Sequence, residues 1–325
     1  DVWDNHFESL TPMMKNYLET KKQHEDCIIF YRLGDFYEMF FDDALEASKV
    51  MEITLTGKSC GLEERAPMCG VPYHAVDMYI NKLVTRGYKV CIVEQVEDPA
   101  LAKGLVKREV SRIVTPGTNL NLTAMDEGKN NYLMSIAYIG GKFGISIADV
   151  TTGDYYVTEV YSERNVLDEI NKFMPTEIIC NHAFLMCGMD IDDIKNRLSI
   201  SVFELEEWYF DENNCSEVLK DHFGIMDLSG LGISEMSLGV IASGSLLKYL
   251  YETQKNSLTH LSKLVPYSTS TFMILDTSTR RNLELCETLR EKQKKGSLLW
   301  VLDKTKTAMG ARTLRNYIEQ PLISK

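Results

Sequence analysis

The segment Tyr31–Asp43, YRLGDFYEMFFDD, sets an aromatic ring and a carboxylate two positions apart just beyond a turn signal. Gly34-Asp35 reads as the turn and FYEMF as an extended run, so Phe36 opens a strand. Phe36 and Glu38 then share one face and Tyr37 takes the other. A ring at a loop–strand junction can act as a wedge between base steps, as minor-groove proteins do when they unstack and kink a duplex. A neighbouring carboxylate can accept a hydrogen bond from a base edge that pairing no longer satisfies. A mispair makes the distortion cheaper, which gives selectivity for damage without reading a sequence. Phosphates repel a carboxylate, so Glu38 fits this role only if it meets a base donor or is itself protonated. The same spacing suits an amphipathic strand with a core aromatic, and spacing alone leaves both readings open.

Other residues with possible chemistry are single charges. Lys58 falls in the loop after ITLTG, where it can meet phosphate or remain a solvated lysine. Arg108 is the best phosphate candidate of a small basic run with Lys103, Lys107 and Arg112, although strand-edge charge explains such a run equally. His74 suits a helix cap or packing role. The six histidines have no zinc-type spacing, and the eight cysteines form no CxxC pair. Several cysteines lie in apolar runs such as KVCIVEQ and EIICN, which points to buried reduced thiols. No metal site is expected. No GxxxxGK[ST] occurs, so no phosphate-cradling loop is expected and no enzyme activity with it.

The elements that must position these residues follow from pattern. Residues 9–24 read as a helix capped by Thr11 with Pro12 in its first turn. CIIFYRL (27–33) is a buried strand, and Asp42 or Asp43 opens a helix to about Met51. ITLTGK is a short strand, followed by a polar loop over 57–66. A helix spans 74–86 and ends at Gly87, and strands follow at 88–96 and 108–115. This is a mixed α/β unit. Residues 117–131 read as a linker. A second α/β unit opens with a meander across 131–160, turning at Gly140-Gly141 and at Thr152-Gly153-Asp154. From about 234 the pattern becomes helical.

The net charge of −12 is uneven. Residues 1–118 carry −5, residues 119–240 carry −14, and residues 241–325 carry +7. A phosphate-binding surface is therefore restricted to part of the molecule. No apolar run reaches the roughly 18 residues of a membrane helix, and DVWDNHFESL is unlike a signal peptide. A cytoplasmic protein is expected, with no membrane partner.

RLGDFYEMFFDDA resembles the Phe-x-Glu mismatch-reading motif of the MutS family, as Phe36-Tyr37-Glu38. LTPMMKNYLETK, residues 66–99, and REVSRIVTPGT resemble the rest of the same domain. LDTSTRRNLEL and GSLLWVLDKTKTAMGARTLRNYIEQPL resemble the start of the family's helical core. The resemblance implies a mismatch-recognition domain over 1–118, a ribonuclease-H-like connector over 119–240, and a truncated all-α lever and core from 241. It implies that Phe36 stacks on a mispaired or unpaired base from the minor groove while Glu38 hydrogen-bonds it. It also sets Pro67 and Met68 in a loop near that groove. A MutL-type partner would use the connector. ATP, magnesium and the homodimer contact would belong to a missing C-terminal domain, leaving this chain a monomer. The start of the recognition domain near residue 1 suggests a bacterial type. A rival reading makes the middle unit a metal-dependent nuclease through Asp149 and Asp154, although no further carboxylates complete that site. A second rival makes the acidic middle a partner-binding module only.

Overall fold

The computed structural model describes residues 4–121, 129–269, 275 and 277–322. The chain divides into two compact units, Asp1–Asn121 with Glu252–Lys255 and Leu122–Tyr251 with Asn256–Lys325.

In the first unit, helix α1 (Pro12–Gln23) starts as its sequence dictates. Thr11 Oγ1 accepts from Met14 N at 3.4 Å, and Pro12 occupies the first turn, where its missing N–H costs nothing. A six-stranded sheet follows in the order β3-β4-β2-β1-β5-β6. Its strands are β1 (Cys27–Leu33), β2 (Phe36–Phe40), β3 (Thr56–Lys58), β4 (Ala66–Pro72), β5 (Lys89–Gln95) and β6 (Arg108–Val114). Only β1 and β5 are parallel, which makes the sheet mixed. The central β1 is covered on both faces, which explains its unbroken apolar run. Ile28, Phe30, Tyr37 and Met39 pack towards helices α2 (Phe41–Met51) and α3 (Val76–Val84). Ile29, Tyr31 and Phe40 pack towards Met14 and Tyr17 of α1.

Three expectations change here. Neither Asp42 nor Asp43 opens α2, which begins at Phe41 without a side-chain cap. Asp43 turns inward instead. Its Oδ2 accepts from Ile29 N at 2.9 Å and from Tyr17 Oη at 3.2 Å, and its Oδ1 accepts from Lys21 Nζ at 2.8 Å. Burial pushes this carboxyl above its ordinary value, while Lys21 and the other donors pull it back. Of ITLTGK, only Thr56–Lys58 is strand. Residues 66–72, expected to be loop at Pro67 and Met68, form β4. Proline is tolerated there because Pro67 pairs only with Gly57 of β3, the register with β2 starting at Met68.

The expected linker over 117–131 is partly structured at both ends, and its residues 122–128 lie outside the described residues. Thr118 Oγ1 accepts from Thr115 N at 2.9 Å, and Asn119 Nδ2 donates to Asn81 Oδ1 at 2.7 Å. Asn131 is buried, and its N–H donates to Asp149 Oδ2 at 3.2 Å.

The second unit holds a sheet ordered β11-β10-β7-β8-β9-β12. The meander is β7 (Leu133–Ile139), β8 (Lys142–Asp149) and β9 (Asp154–Val160), with β10 (Glu177–Cys180) and β11 (Ser201–Glu204) added in parallel beyond β7. The short β12 (Val265–Pro266) joins the other edge. Helices α4 (Glu163–Phe173), α5 (His182–Leu185) and α6 (Ile191–Asn196) pack on one face. Helices α7 (Glu212–Phe223) and α8 (Ser237–Gln254) pack on the other.

The expected start of the lever at 241 falls inside α8. Ile241, Leu246, Leu247 and Leu250 are buried with Leu133, Ala137 and Tyr155 of the sheet. The approach is close enough that a Cβ on Gly144 of β8 would lie 2.1 Å from Leu238 O. Amphipathic spacing marks a helix but does not say which sheet it covers. Helices α9 (Thr277–Asn282), α10 (Leu298–Leu302) and α11 (Ala308–Glu319) follow, and Leu285, Cys286, Leu299, Leu314 and Ile318 of this stretch pack together with Leu275. The cysteines are free thiols, all but Cys187 buried, and burial pushes those of Cys69, Cys91, Cys180, Cys215 and Cys286 up to about 12. Among the described residues, no helix is long and apolar enough to cross a membrane.

Candidate nucleic-acid interface

The β1–β2 hairpin closes through the pair Leu33↔Phe36, which leaves Gly34-Asp35 as a two-residue turn. Gly34 has φ +59°, a left-handed conformation in which glycine carries no side-chain penalty. The turn is tied at three points. Arg32 Nε donates to Gly34 O at 2.5 Å, Tyr73 N donates to Asp35 O at 2.9 Å, and Phe36 pairs with Pro72 of β4. Phe36 leaves this frame 47% exposed, whereas Tyr37 and Met39 are sealed in the core on the opposite face. A large ring held on a fixed turn yet facing solvent contributes little to packing and is open to contact.

Glu38 lies two residues further along the same face, in register with Gly70 of β4 and Tyr31 of β1. Its side chain is only 15% exposed. Oε2 accepts from Lys58 Nζ at 2.8 Å, and Oε1 has no hydrogen-bond partner among the described residues. Lys58 is therefore not a loop residue: it ends β3, beside Ala66 of β4. Pro67 and Met68 belong to the strand between β3 and β2 rather than to a loop. The sheet thus brings Glu38 and Lys58 into contact across three adjacent strands, whereas Met68 is in register with Phe40, Pro67 turns to the opposite face, and neither is opposite Phe36, whose β4 partner is Pro72.

Arg108 stands apart. It opens β6 at the far side of the sheet, and its guanidinium folds back onto the strand ends. Nε donates to Arg32 O and Nη1 to Val106 O, each at 2.8 Å, with the group 4.8 Å from the Tyr31 ring centre. These bonds make it a tie between strands. Lys107 pairs with Glu109 at 3.3 Å, and Arg112 Nε is buried without a hydrogen-bond partner among the described residues. His74 packs its ring edge-on against Tyr73.

Sequence reasoning passed over the support beneath the turn. The Arg32 guanidinium sits 4.3 Å from the Tyr73 ring centre and 5.3 Å from that of Tyr37, with Glu94 Oε2 at 3.6 Å. Tyr37 Oη donates to the other Glu94 oxygen. Burial raises the Glu94 carboxyl above its ordinary value, and Arg32 opposes that rise. Tyr73, 45% exposed, adds a second ring to the Phe36 rim. The one sequence signal was the aromatic that follows Pro72, which hydrophobic periodicity does not register.

Asp149 and Asp154 of the nuclease reading are register partners across the β8–β9 turn, but among the described residues no third ligating group joins them. Asp149 is fully buried; besides Asn131, it accepts from Thr151 N at 2.8 Å and Thr151 Oγ1 at 2.6 Å through Oδ1. It holds the β8–β9 turn. Among the described residues, no group of three or more His, Cys, Asp or Glu side chains is arranged to hold a metal.

Comparison with known proteins matches residues 11–123 to MutS domain I, 131–262 to MutS domain II and 278–325 to MutS domain III. The chain is 65% identical to the DNA mismatch repair protein MutS of Lachnoclostridium phytofermentans, over 97% of this chain and 34% of that protein. It is 55% identical to the protein of that name from Ruminiclostridium cellulolyticum, over 97% of this chain and 36% of the relative. For the one from Clostridioides difficile the values are 49%, 97% and 33%. The chain thus spans about a third of the length of these curated relatives.

Proposed function

The chain belongs to the MutS family, and from that premise we propose that its first unit recognises double-stranded DNA holding mispaired or unpaired bases. The observation that carries this reading is the exposed Phe36 ring on a braced turn, with the Glu38 carboxylate two residues along the same strand face. In this reading Phe36 enters the weakened base step from the minor groove, and Glu38 Oε1 accepts from the disturbed base. The energy of unstacking, a few kcal/mol per step, is smaller where pairing is already lost. Discrimination therefore comes from the cost of deformation and not from a base code. Chemistry at the DNA is not part of the proposal. ATP and magnesium would act outside these 325 residues, which carry no GxxxxGK[ST] motif. Homodimerisation is assigned to the same outside sequence.

We infer a separate role for the second unit. The acid excess over 119–240 suits contact with a MutL-type protein better than contact with phosphates.

The direct test is a fluorescence-anisotropy titration of this chain against a G·T-mismatched duplex and its matched counterpart at fixed low salt. A complex roughly ten- to a hundredfold tighter with the mismatched duplex is expected, the worth of one base stacked on a ring. Absolute affinity should be modest, because the first 118 residues are net negative. Equal binding of the two duplexes would overturn the reading.

A further inference from the structure

We propose that Lys58 is the counter-ion that lets Glu38 work among phosphates, and so a positioning residue for mismatch discrimination and not a phosphate anchor. The inference rests on the reading of Phe36 and Glu38 given above. A carboxylate brought into a DNA groove meets phosphate charge of its own sign, so an unneutralised Glu38 would oppose the insertion it is meant to reward. The fold supplies a remedy. Lys58 ends β3, two strands away from β2, and its ammonium reaches Glu38 Oε2 at 2.8 Å. On the way the ammonium passes the Phe40 ring, lying 5.9 Å from its centre. Gly70 is the β4 residue in register with Glu38, and a Cβ there would already touch Glu38 Cγ and Tyr37 O, each at 3.4 Å. A larger side chain would crowd the carboxylate.

Two further facts favour function over stability. The pair is partly solvated, with side-chain exposures of 33% for Lys58 and 15% for Glu38, and ion pairs in such settings add little to folding. The pair also uses only Oε2, so the neutralised carboxylate keeps Oε1 for a base donor. Lys58 thereby fixes the rotamer of Glu38 as well as balancing its charge.

The experiment measures mismatched and matched duplex binding over a range of salt for the wild type, Lys58→Met, Lys58→Arg, Glu38→Gln and the double variant Lys58→Met/Glu38→Gln. Lys58→Met should weaken mismatch binding about tenfold, the size expected from losing one charge-assisted contact. Its matched-duplex affinity should stay within about twofold and keep its salt slope. Lys58→Arg should retain discrimination. In the Glu38→Gln background, where there is no charge to balance, Lys58→Met should change nothing, and this non-additivity is the signature of action through Glu38. Equal weakening of both duplexes by Lys58→Met in either background, with the salt slope reduced by about one, would make Lys58 a phosphate anchor and overturn this inference alone. A wild-type chain without mismatch preference would overturn it together with the reading beneath it.

Discussion

The Phe36→Ala variant should bind mispaired and matched duplex with equal affinity. Stacking one base on an aromatic ring is worth about 1–3 kcal/mol, so its loss removes roughly ten- to a hundredfold from mismatch affinity. Matched duplex is held by backbone contacts and should be bound as before. The fold should not suffer. The ring is 47% exposed, while the residues that brace its turn, Arg32, Tyr73 and Pro72, bond through backbone atoms or through one another. Stability should stay within about 0.5 kcal/mol, as for other surface changes. Paired titrations and a thermal melt check both halves of the expectation. An unchanged mismatch-to-matched ratio would end the wedge assignment, and a large loss of stability would mean that the ring is structural.

The Asp43→Ala variant should lose about 3 kcal/mol of stability in the first unit, the range for removing one partner from a buried, hydrogen-bonded charge cluster. Asp43 joins three elements at one carboxylate: Tyr17 and Lys21 of α1, the backbone of β1 at Ile29, and α2, which carries it. Alanine leaves the Ile29 N–H, in the middle of the sheet, without the acceptor it had. Tyr17 retains Phe40 O at 3.2 Å, so part of the cluster survives. Asparagine keeps an acceptor for Ile29 and loses the Lys21 pair, so Asp43→Asn should cost less than alanine. Urea unfolding followed by amide exchange within residues 27–40 reads the effect where it arises. Wild-type protection of Ile29 in Asp43→Ala would refute this account of the cluster.

Much of this architecture was legible because its signals are local. The β1–β2 hairpin is written in an apolar run, a Gly-Asp turn and a second run, and β1 and β2 begin and end as that pattern requires. The Thr11 cap and the two turns of the second-unit meander are local in the same way. The facing of Phe36 and Glu38 follows from the twofold period of a strand. Long-range choices were not legible. Whether Asp43 caps α2 or bonds across to β1 depends on a neighbour fourteen residues away. Lys58 reads as a solvated cation until the sheet brings a carboxylate beside it. Pro67 argues for a loop until it is seen that no strand pairs with it on the β2 side. Arg108 reads equally as a phosphate contact or a strand-edge charge, and only the fold shows its Nε and Nη1 directed to the carbonyls of Arg32 and Val106.

The burial of α8 against the second sheet bears on how the protein can be dissected. A piece cut at residue 240 would discard Ile241, Leu246, Leu247 and Leu250 and strip one side of the sheet of its cover. Loss of partner binding by such a piece would report an exposed interior and not a missing contact. A usable excision must carry the helix whole and continue through Leu258, Leu261 and Leu264, which close the same interior.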